Sequence, residues 1–324
     1  MATAGDSGPA SFARSSTWLN SPPLTAAELR GHVVLVDFGT YTCVNWLRTL
    51  PYLRAWAEKY RDRGLIVIGV HTPEFDFEHD LENVRRAVTT MRIEYPIVLD
   101  NEYAIWMAFN NHYWPALYFV DEHGRIRDHR FGEGDYQESE RIIQRLLSET
   151  GAEGEREDLV RPDVAGVEKA ADWGSLWSPE NYLGSGRTEN FASPNGAVLG
   201  TPHEYSVPGR LRLNHWAVDG DWTVTPQTIG LNRAEGVIAY RFHARDLNLV
   251  MAPTKPGDAI RFRVRIDGEP PAAAHGVDVD AAGQGVLSEP RLYQLIRQPG
   301  PVIERSFEIA FLDPGVQAYS FTFG

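Results

Sequence analysis

The chain has 324 residues, about twice the length of a typical domain, so we expect two domains. Hydrophobic residues make up 43% and charged residues 23% of the sequence, which is typical of a soluble globular protein. The net charge of −13 argues against a nucleic-acid surface, and no apolar run reaches the roughly 18 residues of a membrane span. A single cysteine excludes both an internal disulfide and a cysteine-rich zinc site.

The first part of the chain alternates between strand and helix patterns. The run VVLVDF at 33–38 is short, apolar and β-branched, as in a fully buried strand. Apolar residues then recur every three or four positions from Cys43 to Arg61, which predicts a helix with one buried face. The further predicted elements are a strand at 65–71, a helix at 78–91, a strand at 97–99, a helix at 101–110, a hairpin of strands at 116–121 and 125–131, and a helix at 135–149. This order predicts an α/β fold with a mixed central sheet and helices on both faces.

Composition and patterning indicate where the domains begin and end. Residues 1–24 contain no basic segment followed by an apolar one, so they are predicted as a flexible arm rather than a secretory signal. The α/β domain is expected at 25–150, and the charged, weakly hydrophobic stretch 151–172 is expected to be a linker. From 173 to 324, alternating stretches such as VIAYRFHA and AIRFRVRI predict an all-β, jelly-roll-like sandwich. If the sequence is complete, the cytoplasm is the expected location.

Cys43 follows directly on the first buried strand and its turn, and it opens a helix. Backbone N–H groups and the helix dipole at such a position stabilise a thiolate, which makes a cysteine nucleophilic near neutral pH. A lone cysteine in apolar surroundings is more often an inert core residue. The strand-turn-cysteine-helix context favours the nucleophile.

The segment DFGTYTCVNWLRTLPYL around Cys43 resembles the active-site stretch of TlpA-like thioredoxins and, more closely, the soluble C-terminal region of DipZ-type membrane proteins. The similarity continues through GVHTPEFDFE, YPIVLDNEYAIWMAF, NHYWPALYFVDEHG, FGEGDY, SPENYLG, ARDLNLVMAP, RLYQLIRQ and AYSFTFG. It implies a thioredoxin-like domain with thiol-disulfide exchange as its activity, followed by a carbohydrate-binding-module-like β-sandwich. For an excerpt of a longer DipZ-type protein, it also implies an extracytoplasmic location.

The Cys-x-x-Cys pattern of the family is incomplete in this chain. The sequence reads Cys43-Val44-Asn45-Trp46, so a tryptophan replaces the second thiol, and Gly39 stands where the family often has an aromatic residue. In a dithiol enzyme the second cysteine breaks the mixed disulfide from within, which an indole cannot do. The sequence leaves open a monothiol site, a decayed site and a deliberate substitution that traps complexes.

Other residues are expected to shape the site. The resemblance implies that Pro115, after Trp114, is a cis-proline beside the cysteine, whose neighbouring backbone groups pair with an extended substrate. It also implies that Glu74 is an acid near the thiol, although a solvated loop acid is an equal alternative. Tyr41, Trp46 and Trp114 are candidates for an apolar groove, with core packing as the alternative.

Three functions fit these residues. The first is a thiol-disulfide oxidoreductase that uses Cys43 as a monothiol on a protein disulfide or a small thiol, with an external thiol as reductant. The second is a thiol peroxidase, because Thr40-Tyr41-Thr42-Cys43 has the Thr-x-x-Cys spacing of peroxiredoxins, although Val36 stands in place of their proline. The third is a non-catalytic binding protein with a vestigial redox site.

No cofactor or metal is expected from the sequence. In the second domain, GVDVDAAGQG matches no calcium-loop spacing and is predicted to be a turn. Aromatic residues there suggest sugar stacking, but aromatics also fill sandwich cores, and core packing is favoured for Trp173, Trp177, Trp216 and Trp222. A carbohydrate or protein ligand of the sandwich is therefore left open.

Overall fold

A computed structural model describes residues 8–151 and 158–324, and the chain divides into two units between Glu168 and Lys169. The strands of the first unit are β1 (Trp18–Leu19), β2 (Val33–Gly39), β3 (Leu65–His71), β4 (Ile97–Leu99), β5 (Ala116–Val120) and β6 (Ile126–Phe131). Its α-helices are α1 (Val44–Lys59), α2 (Leu81–Thr90), α3 (Ala104–Ala108) and α4 (Tyr136–Glu149). Short 3-10 helices cover Gly8–Arg14, Arg61–Arg63, Asp76–His79 and Gly166–Glu168.

The described strands of the first unit form a six-stranded sheet in the order β1-β4-β3-β2-β5-β6. Strands β2, β3 and β4 are parallel, whereas β1, β5 and β6 pair antiparallel with their neighbours. Because parallel central strands are covered on both faces, β2 and β3 are apolar almost throughout. Helices α1 and α2 cover one face of the sheet and α3 covers the other. The thioredoxin-like α/β fold predicted from the sequence is confirmed.

The N-terminal segment is part of this unit from Gly8 onward. Phe12 is 1% exposed and packs with Phe109 in the core, while Trp18–Leu19 pairs antiparallel with β4. These apolar side chains and the unpaired edge of β4 explain why the segment is ordered rather than the flexible arm predicted for 1–24. Residues 1–7 of that predicted arm lie outside the described residues.

The stretch predicted as a linker at 151–172 lies partly outside the described residues, which omit 152–157. From residue 158 onward the segment contacts helices α4 and α1: the Val160 N–H donates to Glu140 of α4 over 2.8 Å, and Glu168 pairs with Arg54 of α1 over 2.7 Å. The segment before the division at Glu168 therefore follows the surface of the first unit.

The second unit is an all-β sandwich, as predicted. Its described strands are β7 (Asn181–Tyr182), β8 (Pro202–Tyr205), β9 (Trp216–Val224), β10 (Ile229–Leu231), β11 (Gly236–Phe242), β12 (Asp246–Pro253), β13 (Ile260–Ile266), β14 (Gln284–Leu287), β15 (Arg291–Arg297), β16 (Arg305–Phe311) and β17 (Val316–Phe323). They pair antiparallel in the order β14-β13-β16-β11-β9-β10-β17-β12-β15, with β7 on β17 and β8 on β9. Strand β9 pairs with β11 before Gly220 and with β10 after it, and Gly220 has a φ of 96°, which allows the strand to pass between the layers.

Within residues 8–151 and 158–324, no helix combines the length and the apolar character that crossing a membrane requires.

Candidate functional site

Cys43 lies at the junction of β2 and α1. It is the N-cap residue of α1 with an extended backbone (φ −73°, ψ 111°), and its side chain is half-buried. The Cys43 N–H donates to the Thr40 carbonyl over 3.1 Å, and the Cys43 carbonyl accepts the first helical bond from Leu47 over 3.0 Å. The thiol therefore stands at a helix N-terminus, where negative charge is favoured.

The Trp114–Pro115 peptide bond faces Cys43 and is cis, as the resemblance implies. The sulfur of Cys43 lies 3.9 Å from the Trp114 carbonyl oxygen, within reach of a weak S–H···O contact. Trp114 is half-buried and packs on Trp106 with ring centroids 4.4 Å apart, while the Pro115 carbonyl accepts from Gly132 over 2.9 Å. The cysteine and the start of β5 are thus neighbours in the fold.

A buried carboxyl group fixes the turn before Cys43, and it belongs to Glu78 rather than to the predicted Glu74. Thr42 donates to Glu78 Oε1 over 2.6 Å, and the N–H groups of Glu74 and Phe75 donate to Oε2 over 2.6 and 3.0 Å. Burial raises the pKa of Glu78, and these hydrogen bonds oppose that rise. The side chain of Glu78 thereby ties the loop after β3 to the turn that presents the thiol.

Trp46 fills the place of the second cysteine and binds a buried acid. Its indole Nε1 donates to Asp37 Oδ2 over 2.8 Å, and the two residues are 5% and 1% exposed. Burial raises the pKa of Asp37 from 3.8 to about 7, and the hydrogen bond from Trp46 lowers it by less. Among the described residues, Asp37 Oδ1 has no hydrogen-bond partner.

A small cavity adjoins this pair on the sheet face that α1 and α2 cover. It measures about 20 Å³, the scale of a single water molecule. Beside it, burial lowers the pKa of His71 to about 4. The His71 Nε2 lies 2.9 Å from the Glu78 carbonyl, so the neutral ring carries its hydrogen on Nε2. The lining includes Asp37, Gly39, Trp46, Gly69, Val84 and Val88.

The predicted groove of three aromatic residues is formed only in part. Tyr41 is 4% exposed and stacks on His71 with centroids 5.8 Å apart, so core packing describes both Tyr41 and Trp46. Thr40 is completely buried. Of the three aromatic residues, Trp114 is the one that lies beside the thiol.

Sequence reasoning did not single out Asp37, Glu78, or the buried ion pair of Arg48 with Glu133. A usable signal existed for Asp37, because an acidic residue inside the apolar run VVLVDF must be buried with its strand. The spacing of TPEFDFE, by contrast, gives no indication of which glutamate points inward.

No group of three or more His, Cys, Asp or Glu side chains that could hold a metal occurs in the part of the chain that the structure describes. In the second unit, Trp216 and Trp222 belong to the core, in line with the packing interpretation. Trp173 and Trp177 are instead 63% and 61% exposed, and Trp177 stacks on His243 with centroids 3.8 Å apart. That the sandwich binds a carbohydrate or protein ligand stays a prediction. Substitution of these two exposed tryptophans would test it.

Comparison with known families divides the chain in the same way. Residues 17–129 match the AhpC/TSA family, and residues 178–324 match the family described as thioredoxin-like C-terminal domain.

Two curated proteins illustrate the similarity. Protein DipZ of Mycobacterium tuberculosis (strain CDC 1551 / Oshkosh) is 34% identical over 317 residues, which are 95% of this chain and 41% of DipZ. The chain thus spans well under half the length of that relative. The thiol-disulfide oxidoreductase YkuV of Bacillus subtilis (strain 168) is 30% identical over 134 residues, which are 41% of this chain and 89% of YkuV.

Among solved structures, a thioredoxin-like protein in its oxidized form is 29% identical, with a TM-score of 0.38, over 41% of this chain and 88% of that one.

The identity with YkuV extends over nearly all of that protein, and the match to DipZ extends over both units of this chain. The chain therefore belongs to the thioredoxin-like family of thiol-disulfide oxidoreductases.

Proposed function

We propose that the protein exchanges disulfides through Cys43 alone, as a monothiol. The observation that carries this proposal is the placement of the Cys43 sulfur at the N-terminus of α1 and 3.9 Å from the carbonyl before cis-Pro115. A helix N-terminus favours a thiolate, and the backbone that precedes Pro115 lies beside the sulfur, where it can pair with an extended chain. The preferred substrate is therefore a protein disulfide, with a small disulfide as the alternative.

The proposed reaction has two exchange steps. The Cys43 thiolate attacks one sulfur of the substrate disulfide; a new S–S bond forms to Cys43, the substrate S–S bond breaks, and the other substrate sulfur leaves as a thiolate. An external low-molecular-weight thiolate then attacks the mixed disulfide at the substrate sulfur. This second step returns the Cys43 thiolate and leaves the substrate sulfur bonded to the external thiol.

The second step needs an external thiol because the chain has one cysteine and position 46 carries an indole. The buried contact between Trp46 and Asp37 supports a site that is built around this tryptophan rather than a decayed one. The complete burial of Thr40 weighs against a peroxide-orienting role for its hydroxyl, so the peroxidase is the less favoured alternative. The compartment in which the exchange takes place stays a prediction.

The test is intact-mass spectrometry after incubation with a peptide disulfide. The proposal predicts one peptide adduct on the wild-type protein and none on Cys43→Ser. Consumption of hydrogen peroxide that depends on Cys43, without peptide adduct, would establish the peroxidase instead. A wild-type protein that forms neither adduct nor reaction product would leave only the binding-protein hypothesis.

A further inference from the structure

A buried ion pair joins α1, shortly after Cys43, to the segment that follows β6. Arg48 of α1 and Glu133, which follows β6, are joined by an Nη1–Oε1 distance of 2.8 Å, and their side chains are 2% and 5% exposed. Burial raises the pKa of Glu133, and the Arg48 guanidinium opposes that rise. Because the desolvation of both charges offsets most of their attraction, such a pair contributes little net stability compared with apolar side chains. Its place in the fold indicates a different role.

The segment that carries Glu133 also holds the cis-proline. Gly132 donates its N–H to the Pro115 carbonyl over 2.9 Å, directly after β6 has paired with β5. One connected path therefore runs from Cys43 along α1 to Arg48, across to Glu133, and through Gly132 to Pro115.

Two more contacts fasten α1 to the same segment. Tyr52 stacks on Tyr136 with ring centroids 3.8 Å apart and an interplanar angle of 16°, and Thr49 Oγ1 lies 3.4 Å from the Tyr136 hydroxyl. Consecutive turns of the helix thus engage residues 133–136. The ion pair is the contact of this group that lies nearest to Cys43 along the helix.

We propose that the Arg48–Glu133 ion pair is a positioning device that sets Cys43 against the backbone beside Pro115 and thereby favours extended polypeptide disulfides over small ones. A small disulfide needs only the sulfur of Cys43. An extended chain must meet the sulfur and the backbone beside Pro115 together, so its reaction depends on the distance between them. This proposal rests on the proposed monothiol function and names the substrate class of that site.

The test uses a double variant, Arg48→Met/Glu133→Leu, which removes both charges and leaves neither one buried alone. The matched control is Arg54→Met/Glu168→Leu, since that pair also starts on α1 and spans 2.7 Å but is 27% and 23% exposed. Two probes release the same nitrothiobenzoate chromophore. One is 5,5′-dithiobis(2-nitrobenzoic acid), and the other is an extended peptide whose single cysteine carries nitrothiobenzoate as a mixed disulfide.

We expect the rate with the peptide probe to fall about 10- to 100-fold in the Arg48/Glu133 variant, while the rate with the small probe is unchanged. The control variant should keep both rates, and urea unfolding should show that the Arg48/Glu133 variant is as stable as the wild type. Glu133→Asp keeps the negative charge beside Arg48 on a shorter side chain, so it should give a smaller loss with the peptide only. This variant also tests the proposal if the double variant fails to fold.

The outcomes separate the two proposals. A wild-type protein that reacts with neither probe overturns the monothiol function and the positioning role with it. If the wild type reacts and the variants keep its ratio of peptide to small-probe rates, the positioning role alone is overturned.

Discussion

The indole of Trp46 occupies the space that a side chain at position 39 would need. A Cβ on Gly39 would lie 2.2 Å from both Cδ1 and Nε1 of the Trp46 ring, far inside van der Waals contact. The two departures from the family pattern, glycine at 39 and tryptophan at 46, are therefore coupled by packing. They form one arrangement, in which the ring lies against β2 and binds Asp37.

This coupling predicts a strong dependence of one substitution on the other. Gly39→Ala should lower the free energy of unfolding by about 1–3 kcal/mol in the wild-type background, because the new methyl group overpacks the ring. In a Trp46→Ala background the same change should cost close to nothing. Urea unfolding of the four proteins of this cycle measures the coupling. If Gly39→Ala costs the same free energy of unfolding in both backgrounds, residues 39 and 46 are not coupled by packing.

Asp37 predicts how stability depends on pH. The pKa of Asp37 in the folded protein is about 7 against an ordinary 3.8, so the folded protein holds this proton to higher pH than the unfolded chain. The contribution of Asp37 to stability is therefore present below about pH 4 and is lost as the pH rises toward 7, with a slope of at most about 1.4 kcal/mol per pH unit. Asp37→Asn should remove this slope. Urea unfolding across the range compares the two proteins, and parallel curves would contradict the assignment.

Glu78 is predicted to matter more than Glu74. In Glu78→Gln an amide N–H₂ replaces one oxygen that accepts from Thr42 or from the backbone of Glu74 and Phe75. We expect a loss of about 1–3 kcal/mol in stability, because a buried donor then lacks its acceptor. Glu74→Gln, which keeps the backbone N–H that binds Glu78, is the control and should cost less. The reverse order in urea unfolding would contradict the role given to Glu78.

Trp46→Cys should give the site a way to release its own adduct. A thiol at position 46 lies in the first turn of α1, the place where the family carries its second cysteine. The peptide adduct on Cys43 should then disappear without external thiol and leave an internal disulfide, whereas Trp46→Ser, of similar size and without a thiol, should retain the adduct. Intact-mass spectrometry over time distinguishes the two. Equal adduct lifetimes in both variants would place position 46 out of reach of Cys43.

Local patterns in the sequence predicted the parts of this structure that depend on local chemistry. The buried strand before Cys43 and the helix after it followed from apolar periodicity. The start of α2 was wrong, because the helix begins at Leu81 rather than at the predicted residue 78. Asp80 explains this start, since its side chain caps α2 by accepting from the N–H groups of Glu82 and Asn83.

The contacts that sequence patterns did not reveal join residues far apart in the chain. Glu78 meets Thr42 across 36 positions, and Glu133 meets Arg48 across 85 positions. Such partners depend on how the elements pack, and neither propensity nor spacing encodes them. The order of the N-terminal segment has the same origin, since Trp18–Leu19 is a strand only because β4 offers an edge.

The most direct test of the central claim is the lifetime of the mixed disulfide on wild-type Cys43. The purified adduct with a peptide is kept at neutral pH, with or without an added low-molecular-weight thiol, and followed by intact mass. The account predicts that the adduct persists alone and is released, with recovery of the Cys43 thiol, once the external thiol is present. Release of the peptide without added thiol would contradict it.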